Sequence, residues 1–240
     1  MKWSNLVNDF ENYLLLEKGL SENTVLAYVK DVEKLQNYIE ELNKKVDELQ
    51  YEDLNGFVGA LFDIGLNARS QARIVSGVKQ FFEFLILEDY LKRNPAELLQ
   101  PPKIGRKLPE VLSLEEIDQM MAQIDLSKNE GHRNKAILET LYCCGLRVSE
   151  LCDLKLSQIF IREGFIRVIG KGNKERLIPL ADSVMIELDL YFLSMRKHLE
   201  IARGHEDFVF LNRRGKQLTR VMIFTIIKDL AQKAGIRKNI

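Results

Sequence analysis

The segment Gln100-Pro101-Pro102-Lys103-Ile104-Gly105-Arg106-Lys107-Leu108-Pro109 limits the fold more than any other part of the chain. Proline lacks a backbone N–H and fixes φ, so three prolines and a glycine within ten residues end any helix or central strand. The segment has almost no apolar periodicity and reads as an interdomain linker. A chain of 240 residues, at roughly 150 residues per domain, leaves room for a modest domain on each side. The expected division is residues 1–99, a linker over 100–109, and residues 110–240. Hydrophobic residues at 46% and charged residues at 29% suffice for a buried core in each half and exclude wholesale disorder.

Before the linker, apolar residues fall at helical spacing. Leu6, Phe10, Tyr13 and Leu14 predict a helix over Leu6 to Leu16, with Gly19 as its stop. Ser21 or Asn23 can cap a second helix through Tyr28, Val32, Leu35 and Ile39 to Asn43, and a third covers Tyr51 to Gly65. A fourth starts near Ala68, carries Ile74, Val78, Phe81, Phe82 and Leu85, and ends before Pro95. Phe81, Phe82 and Phe84 share the apolar face and are expected in the core.

After the linker, Ser113 and Glu116 form a capping-box pattern ahead of Ile117, Met120, Met121 and Ile124. Asn134 to Cys144 predicts a helix stopped by Gly145, and another carries Val148, Leu151 and Leu154. Gln158 to Ile161, Phe165 to Ile169 and Arg176 to Leu180 then predict three short antiparallel strands. Helices resume over Ser183 to Leu199, and Thr219 caps a last one ending at Gly235. Tyr142 and Tyr191 lie in apolar helical patterns and are expected to pack.

Lys+Arg and Asp+Glu both number 35, so formal charge is zero, yet the division is uneven. Through residue 107 there are 14 basic and 17 acidic residues, and beyond it 21 and 18. The excess of cations in the second part fits either a polyanion-binding patch or a solvated, salt-bridged surface. No apolar run is long enough to span a membrane, and no signal-peptide segment follows Met1, so a cytoplasmic protein is expected. Cys143, Cys144 and Cys152 lack metal-ligand spacing and are odd in number, so neither a zinc site nor a disulfide framework is expected.

Two segments carry candidate chemistry. In Gly145-Leu146-Arg147-Val148-Ser149-Glu150-Leu151, the glycine suits the left-handed end of one helix and places Arg147 in the first turn of the next. Such a position suits a phosphate, and Glu150 can brace the guanidinium from three residues on. In Gly170-Lys171-Gly172-Asn173-Lys174, glycines permit a tight hairpin that exposes Lys171 as a mobile proton donor. An ordinary surface pair and an ordinary solvated turn are the competing readings. A phosphate-binding P-loop is excluded, because five residues separate Gly164 from Gly170 and Gly172 stands where a Ser or Thr would hold magnesium.

Together, the Gly145 to Leu151 segment and the run Arg167 to Leu180 closely resemble the catalytic domain of tyrosine recombinases, particularly the Xer type. Leu20-Ser21-Glu22-Asn23-Thr24-Val25-Leu26-Ala27-Tyr28, the Arg73 to Phe84 helix and Asn94-Pro95-Ala96 resemble the family's core-binding domain, so the likeness covers essentially the whole chain. The resemblance implies a mainly α fold with a small antiparallel β-sheet. An N-terminal four-helix, SAM-like core-binding domain would precede an α+β catalytic domain lacking its C-terminal part. It implies a site-specific recombinase that clamps duplex DNA and exchanges strands through a 3′-phosphotyrosine, with chromosome dimer resolution as its setting.

By resemblance, Arg147 would hold a non-bridging oxygen of the scissile phosphate, Lys171 would protonate the leaving 5′-oxygen, and Glu150 would orient Arg147. Asn23, Thr24, Tyr28, Arg73 and Lys79 in the first domain, and Lys174, Thr219 and Arg220 in the second, would contact DNA. Neither a metal nor another cofactor is implied. The implied partners are a double-stranded recombination site, further protomers in a tetrameric synaptic complex, and the FtsK translocase.

The family's His-x-x-Arg motif and nucleophilic tyrosine are expected beyond Asn239-Ile240, since His132, His198 and His205 have no Arg three residues on. These 240 residues alone are therefore expected not to cut DNA. A DNA-binding regulatory protein without cleavage activity is the alternative, and a helical interaction module a more distant one.

Overall fold

The computed structural model describes residues 2–238 other than 106, 107, 109, 129, 171 and 173. The chain forms two compact units, Met1–Lys107 and Leu108–Ile240. Among the described residues it is mainly helical, with one small antiparallel sheet.

The first unit contains α1 (Trp3–Asn12), α2 (Glu22–Glu41), α3 (Tyr51–Asp63) and α4 (Ala68–Leu87). The single helix expected from Leu6 to Leu16 changes pitch, because Tyr13–Glu17 form a π turn in which the Lys18 N–H reaches back to the Tyr13 carbonyl. That turn keeps both Tyr13 and Leu14 in the core, Tyr13 against Phe84 at 5.1 Å between ring centroids. Ser21 occupies the N-cap of α2, and Asn67 caps α4 by accepting from the Ser70 N–H. Phe81, Phe82 and Phe84 are buried as expected, and Phe10 meets the Phe81 ring edge-on at 5.3 Å.

The core also holds one buried charge. Asp31 of α2 is fully buried and receives both terminal nitrogens of Arg73 from α4, one at 2.8 Å. Gly77 makes room for it, since a Cβ there would lie 3.1 Å from an Asp31 carboxylate oxygen. The unit continues past α4 through the Asn94-Pro95-Ala96 turn, where Asn94 accepts from the Ala96 N–H and Ala96 and Leu99 are buried.

The second unit contains α5 (Leu114–Ala122), α6 (Gly131–Cys144), α7 (Val148–Asp153), β1 (Ile159–Phe160), β2 (Phe165–Ile169), β3 (Glu175–Pro179), α8 (Asp182–Ser194) and α9 (Arg220–Lys233). The Ser113–Glu116 capping box opens α5 as expected. The sheet order is β1-β2-β3, with Phe165 opposite Pro179 and Ile169 opposite Glu175. Alternation along β2 buries Ile166 and Val168 against Leu151, Leu188, Tyr191 and Phe210. A smaller cluster joins Met120 of α5, Leu138 of α6 and Leu230 of α9.

Several sequence expectations need correction. Helix α6 begins three residues before Asn134, because Gly131 lets its backbone approach Asp125 and Leu126 more closely than any side chain permits. The helix expected to run to Leu199 ends at Ser194, where Met195 leaves helical geometry (φ −126°, ψ −57°) and Arg196–His198 form a 3-10 turn. Strand β3 begins at Glu175 and ends at Pro179, one residue earlier at each end than expected. Tyr191 is fully buried, its hydroxyl accepting from the Leu211 N–H, whereas Tyr142 is 49% exposed and is not a packing residue. Tyr142 lies one turn beyond the buried Leu138, at the margin of the apolar stripe of α6, and its ring falls outside the covered area.

Candidate active site

The site in the second unit is built where α6 ends and α7 begins. Gly145 adopts the left-handed conformation (φ 57°), which a glycine enters without steric cost and which turns the chain sharply out of α6. Arg147 then takes the N-cap position of α7, with extended geometry, rather than lying inside its first turn. Its own N–H is donated to Glu150 Oε2 at 2.8 Å, so this amide is already committed and is not open to a ligand. The expectation that this helix start suits a phosphate is therefore narrowed, since the Arg147 amide cannot contribute to it.

The guanidinium of Arg147 is held on one side only. Nη1 donates to Glu150 Oε1 at 2.8 Å, while the side chain remains 68% exposed. Its remaining donors face solvent, which leaves a planar fork able to grip an oxyanion. Glu150 therefore braces Arg147 as the sequence suggests.

The carboxylate also has a second partner. Arg176 of β3 donates Nη1 to Glu150 Oε1 and Nη2 to Oε2, both at 2.7 Å, in a bidentate pair. Arg176, with Arg147, holds the Glu150 carboxyl far below its ordinary range, at about 2. The carboxylate is thus charged at any physiological pH and serves as an anchor rather than as a proton carrier.

Sequence reasoning named Arg176 only as the expected start of the third strand. A sharper signal was available in the strand alternation. Arg176 and Ile178 lie half-buried on one face of β3, while Glu175, Leu177 and Pro179 are exposed. A cation on the inward face of a strand implies a buried anion opposite it.

Lys171 lies outside the described residues. The strands flanking its turn are registered, with Val168 opposite Arg176 and Ile169 opposite Glu175. The Gly170 N–H donates to the Lys174 carbonyl at 2.8 Å, and the Lys174 side chain is exposed. Thr219 caps α9 by accepting from the Met222 N–H, and the exposed Arg220 follows it. Arg220 lies near enough to Cys152 to draw its thiol pKa down, although burial prevails and pushes that thiol up to about 11.

In the first unit, Asn23, Thr24 and Tyr28 share the first turns of α2, with Asn23 exposed and Thr24 paired with Ser21 through their hydroxyls at 2.9 Å. Arg73 approaches the same turns, its Nη1 lying 3.5 Å from the Ala27 carbonyl. Tyr28 packs partly against the core. Lys79 donates to the carbonyls of Glu97 at 3.1 Å and Leu99 at 3.3 Å, so it holds the end of the unit onto α4. Among the described residues, no group of three or more His, Cys, Asp or Glu side chains could hold a metal ion. No helix among them is long and apolar enough to cross a membrane.

Comparison with known proteins matches residues 7–89 to the N-terminal SAM-like domain of phage integrases and residues 110–240 to the phage integrase family. The chain is 38% identical over 236 residues to tyrosine recombinase XerD of Staphylococcus haemolyticus, covering 98% of this chain and 80% of that protein. It belongs to the tyrosine recombinases, in their Xer branch. XerD of Staphylococcus epidermidis is 37% identical over 239 residues, 99% of this chain and 80% of the relative.

Among solved structures, the recombinase shares its fold with XerH bound to a palindromic difH substrate in a post-cleavage complex. The TM-score is 0.75 at 18% identity, with 100% of this chain and 69% of that chain covered. The lambda integrase(75-356) dimer bound to a COC′ core site gives 0.74 at 17%, covering 98% and 82%. At those identities the likeness is one of fold.

Proposed function

We propose that this recombinase grips duplex DNA as a clamp at a specific site and brings Arg147 onto the scissile phosphate. The observation that carries the reading is the exposed Arg147 fork, fixed on one side by a buried carboxylate and free on the other. An arginine so held is oriented before the substrate arrives, and its open donors suit the charge of a pentacoordinate phosphorus. In this reading Glu150 orients Arg147, and Lys171 protonates the 5′-oxygen as the bond to it breaks. A tyrosine supplies the nucleophile, and the 3′-phosphotyrosine conserves the bond energy for religation, so no ATP is needed.

DNA is approached by Asn23, Thr24, Tyr28, Arg73 and Lys79 from the first domain (residues 1–99) and by Lys174, Thr219 and Arg220 from the second (110–240). The segment 100–109 joins them. The likeness to a lambda integrase tetramer bound to a Holliday junction supports a tetrameric synaptic assembly here. Chromosome dimer resolution in the cytoplasm, with FtsK as a controlling partner, is the setting we infer from the XerD relatives.

Two measurements test the reading. Fluorescence anisotropy against a site-bearing duplex is expected to show affinity falling by about a thousandfold or more between 50 and 200 mM salt, as release of counterions from six to ten phosphates requires. A flat salt dependence contradicts the clamp. On a nicked suicide duplex, a chain carrying the family's His-x-x-Arg and tyrosine is expected to form a covalent adduct that Arg147→Ala abolishes. A polypeptide of these 240 residues, none of whose three histidines has an Arg three positions on, is expected to form none.

A further inference from the structure

We propose that Arg176 is a positioning residue for the recombinase. Through the shared Glu150 carboxylate, it fixes the Arg147 fork to the β2–β3 sheet and sets the angle at which Arg147 meets phosphate. The inference rests on the reading of Arg147 as the phosphate ligand.

Three observations converge. The Glu150 side chain is only 4% exposed, yet it accepts four hydrogen bonds, two from Arg147 and two from Arg176. Oε1 is shared by the two guanidinium groups, at 2.8 Å from Arg147 Nη1 and 2.7 Å from Arg176 Nη1. Any rotation of the carboxylate therefore moves the Arg147 contact as well. Arg147 cannot supply this order alone, because it is flexible, mostly exposed and bound by a single Nη1 contact. Arg176, about half as exposed at 38%, grips both carboxylate oxygens with its two terminal nitrogens and so restricts rotation of the carboxylate.

The third observation is Gly170, directly after β2. A Cβ there would lie 3.3 Å from Glu150 Oε1 and 3.4 Å from Arg176 Nη1. The backbone at the end of β2 thus lies close against the pair, and a side chain there would crowd both the carboxylate and the guanidinium. A surface ion pair placed only for stability would need neither the shared oxygen nor this cover.

The test reads the coupling of Arg147 to one phosphate and leaves bulk affinity aside. Each chain is titrated against the site duplex and against duplexes in which single phosphates are replaced by neutral methylphosphonates. The wild-type chain is expected to lose about tenfold in affinity at the scissile phosphate, the scale of one charge-assisted contact. Arg176→Gln should lose about twofold there while keeping the wild-type response at distant phosphates. Arg176→Lys retains the charge without the fork and should fall between, at about fourfold. In a Glu150→Gln background, Arg176→Gln should change the response no further.

A wild-type response in folded Arg176→Gln overturns the proposal. Should that variant unfold in urea at concentrations the wild type survives, Arg176→Lys decides: a full tenfold loss overturns the proposal, and a reduced one supports it. If the wild-type chain responds equally at every phosphate, the underlying assignment of Arg147 has failed, which is a separate and recognisable outcome.

Discussion

Glu150 is the residue on which the site turns, and its charge has a consequence for stability. Its carboxyl sits at about 2 in the folded chain against an ordinary value of 4.5. A depressed carboxylate stabilises the fold fully above the unfolded value, and that contribution is lost as pH falls through the folded one. The stability difference between wild type and Glu150→Gln, measured by urea denaturation, is therefore expected to be constant above about pH 5 and to shrink between about pH 4.5 and 2. A difference that persists unchanged to pH 2 contradicts the pairing.

Arg73 makes the corresponding argument in the other unit. Arg73→Ala strands the buried Asp31 with only Lys34, 3.4 Å away, and is expected to cost about 2 kcal/mol. The loss should be read in stability before DNA binding is considered. At this scale the sequence showed what is local. Arg147 and Glu150 are three positions apart on one helical turn and were legible. Arg176 lies 26 residues from Glu150 and Arg73 lies 42 from Asp31, and contacts at those separations exist only once the strands and helices have packed.

At the scale of elements, capping and glycine did most of the placing. Ser113, Asn67 and Thr219 each accept a hydrogen bond from the first turn of the helix they open. Ser113 and Thr219 could be named from the sequence because the residue type and its offset are both local. Gly145 could be named too, and its Cβ position is open, so Gly145→Ala should meet a backbone penalty alone, about 1 kcal/mol in urea unfolding. The same substitution is expected to weaken binding of the site duplex further than that loss of stability explains, because it rotates the N-cap that carries Arg147.

What the sequence did not show at this scale has physical reasons. The π turn at Tyr13–Glu17 and the break after Ser194 occur within runs of good helix formers. They are imposed by packing of Tyr13 and Leu14 on one side and by the buried Met195 on the other. Tyr142 was misplaced because helical spacing identifies an apolar stripe without saying which neighbouring residue falls just outside it.

At the scale of the whole molecule, the zero formal charge gives no sign of the polyanion partner proposed for this chain. Several cations have a structural partner as well, since Arg73 and Arg176 are bound to carboxylates and Lys79 to carbonyls. Exposed Arg147 differs from them because its partner secures one nitrogen and leaves the others open. Two compact units, a recombinase likeness over 98% of the chain and this half-bound arginine fit together in one account.

Its central claim is that Arg147 meets one particular phosphate of a duplex. The most direct measurement is the affinity of wild type and Arg147→Ala for a library-selected site, scanned with single methylphosphonates. The account predicts one position at which neutralisation weakens the wild type by about tenfold and leaves Arg147→Ala unchanged. Parallel profiles for the two chains, with no position that distinguishes them, would contradict it.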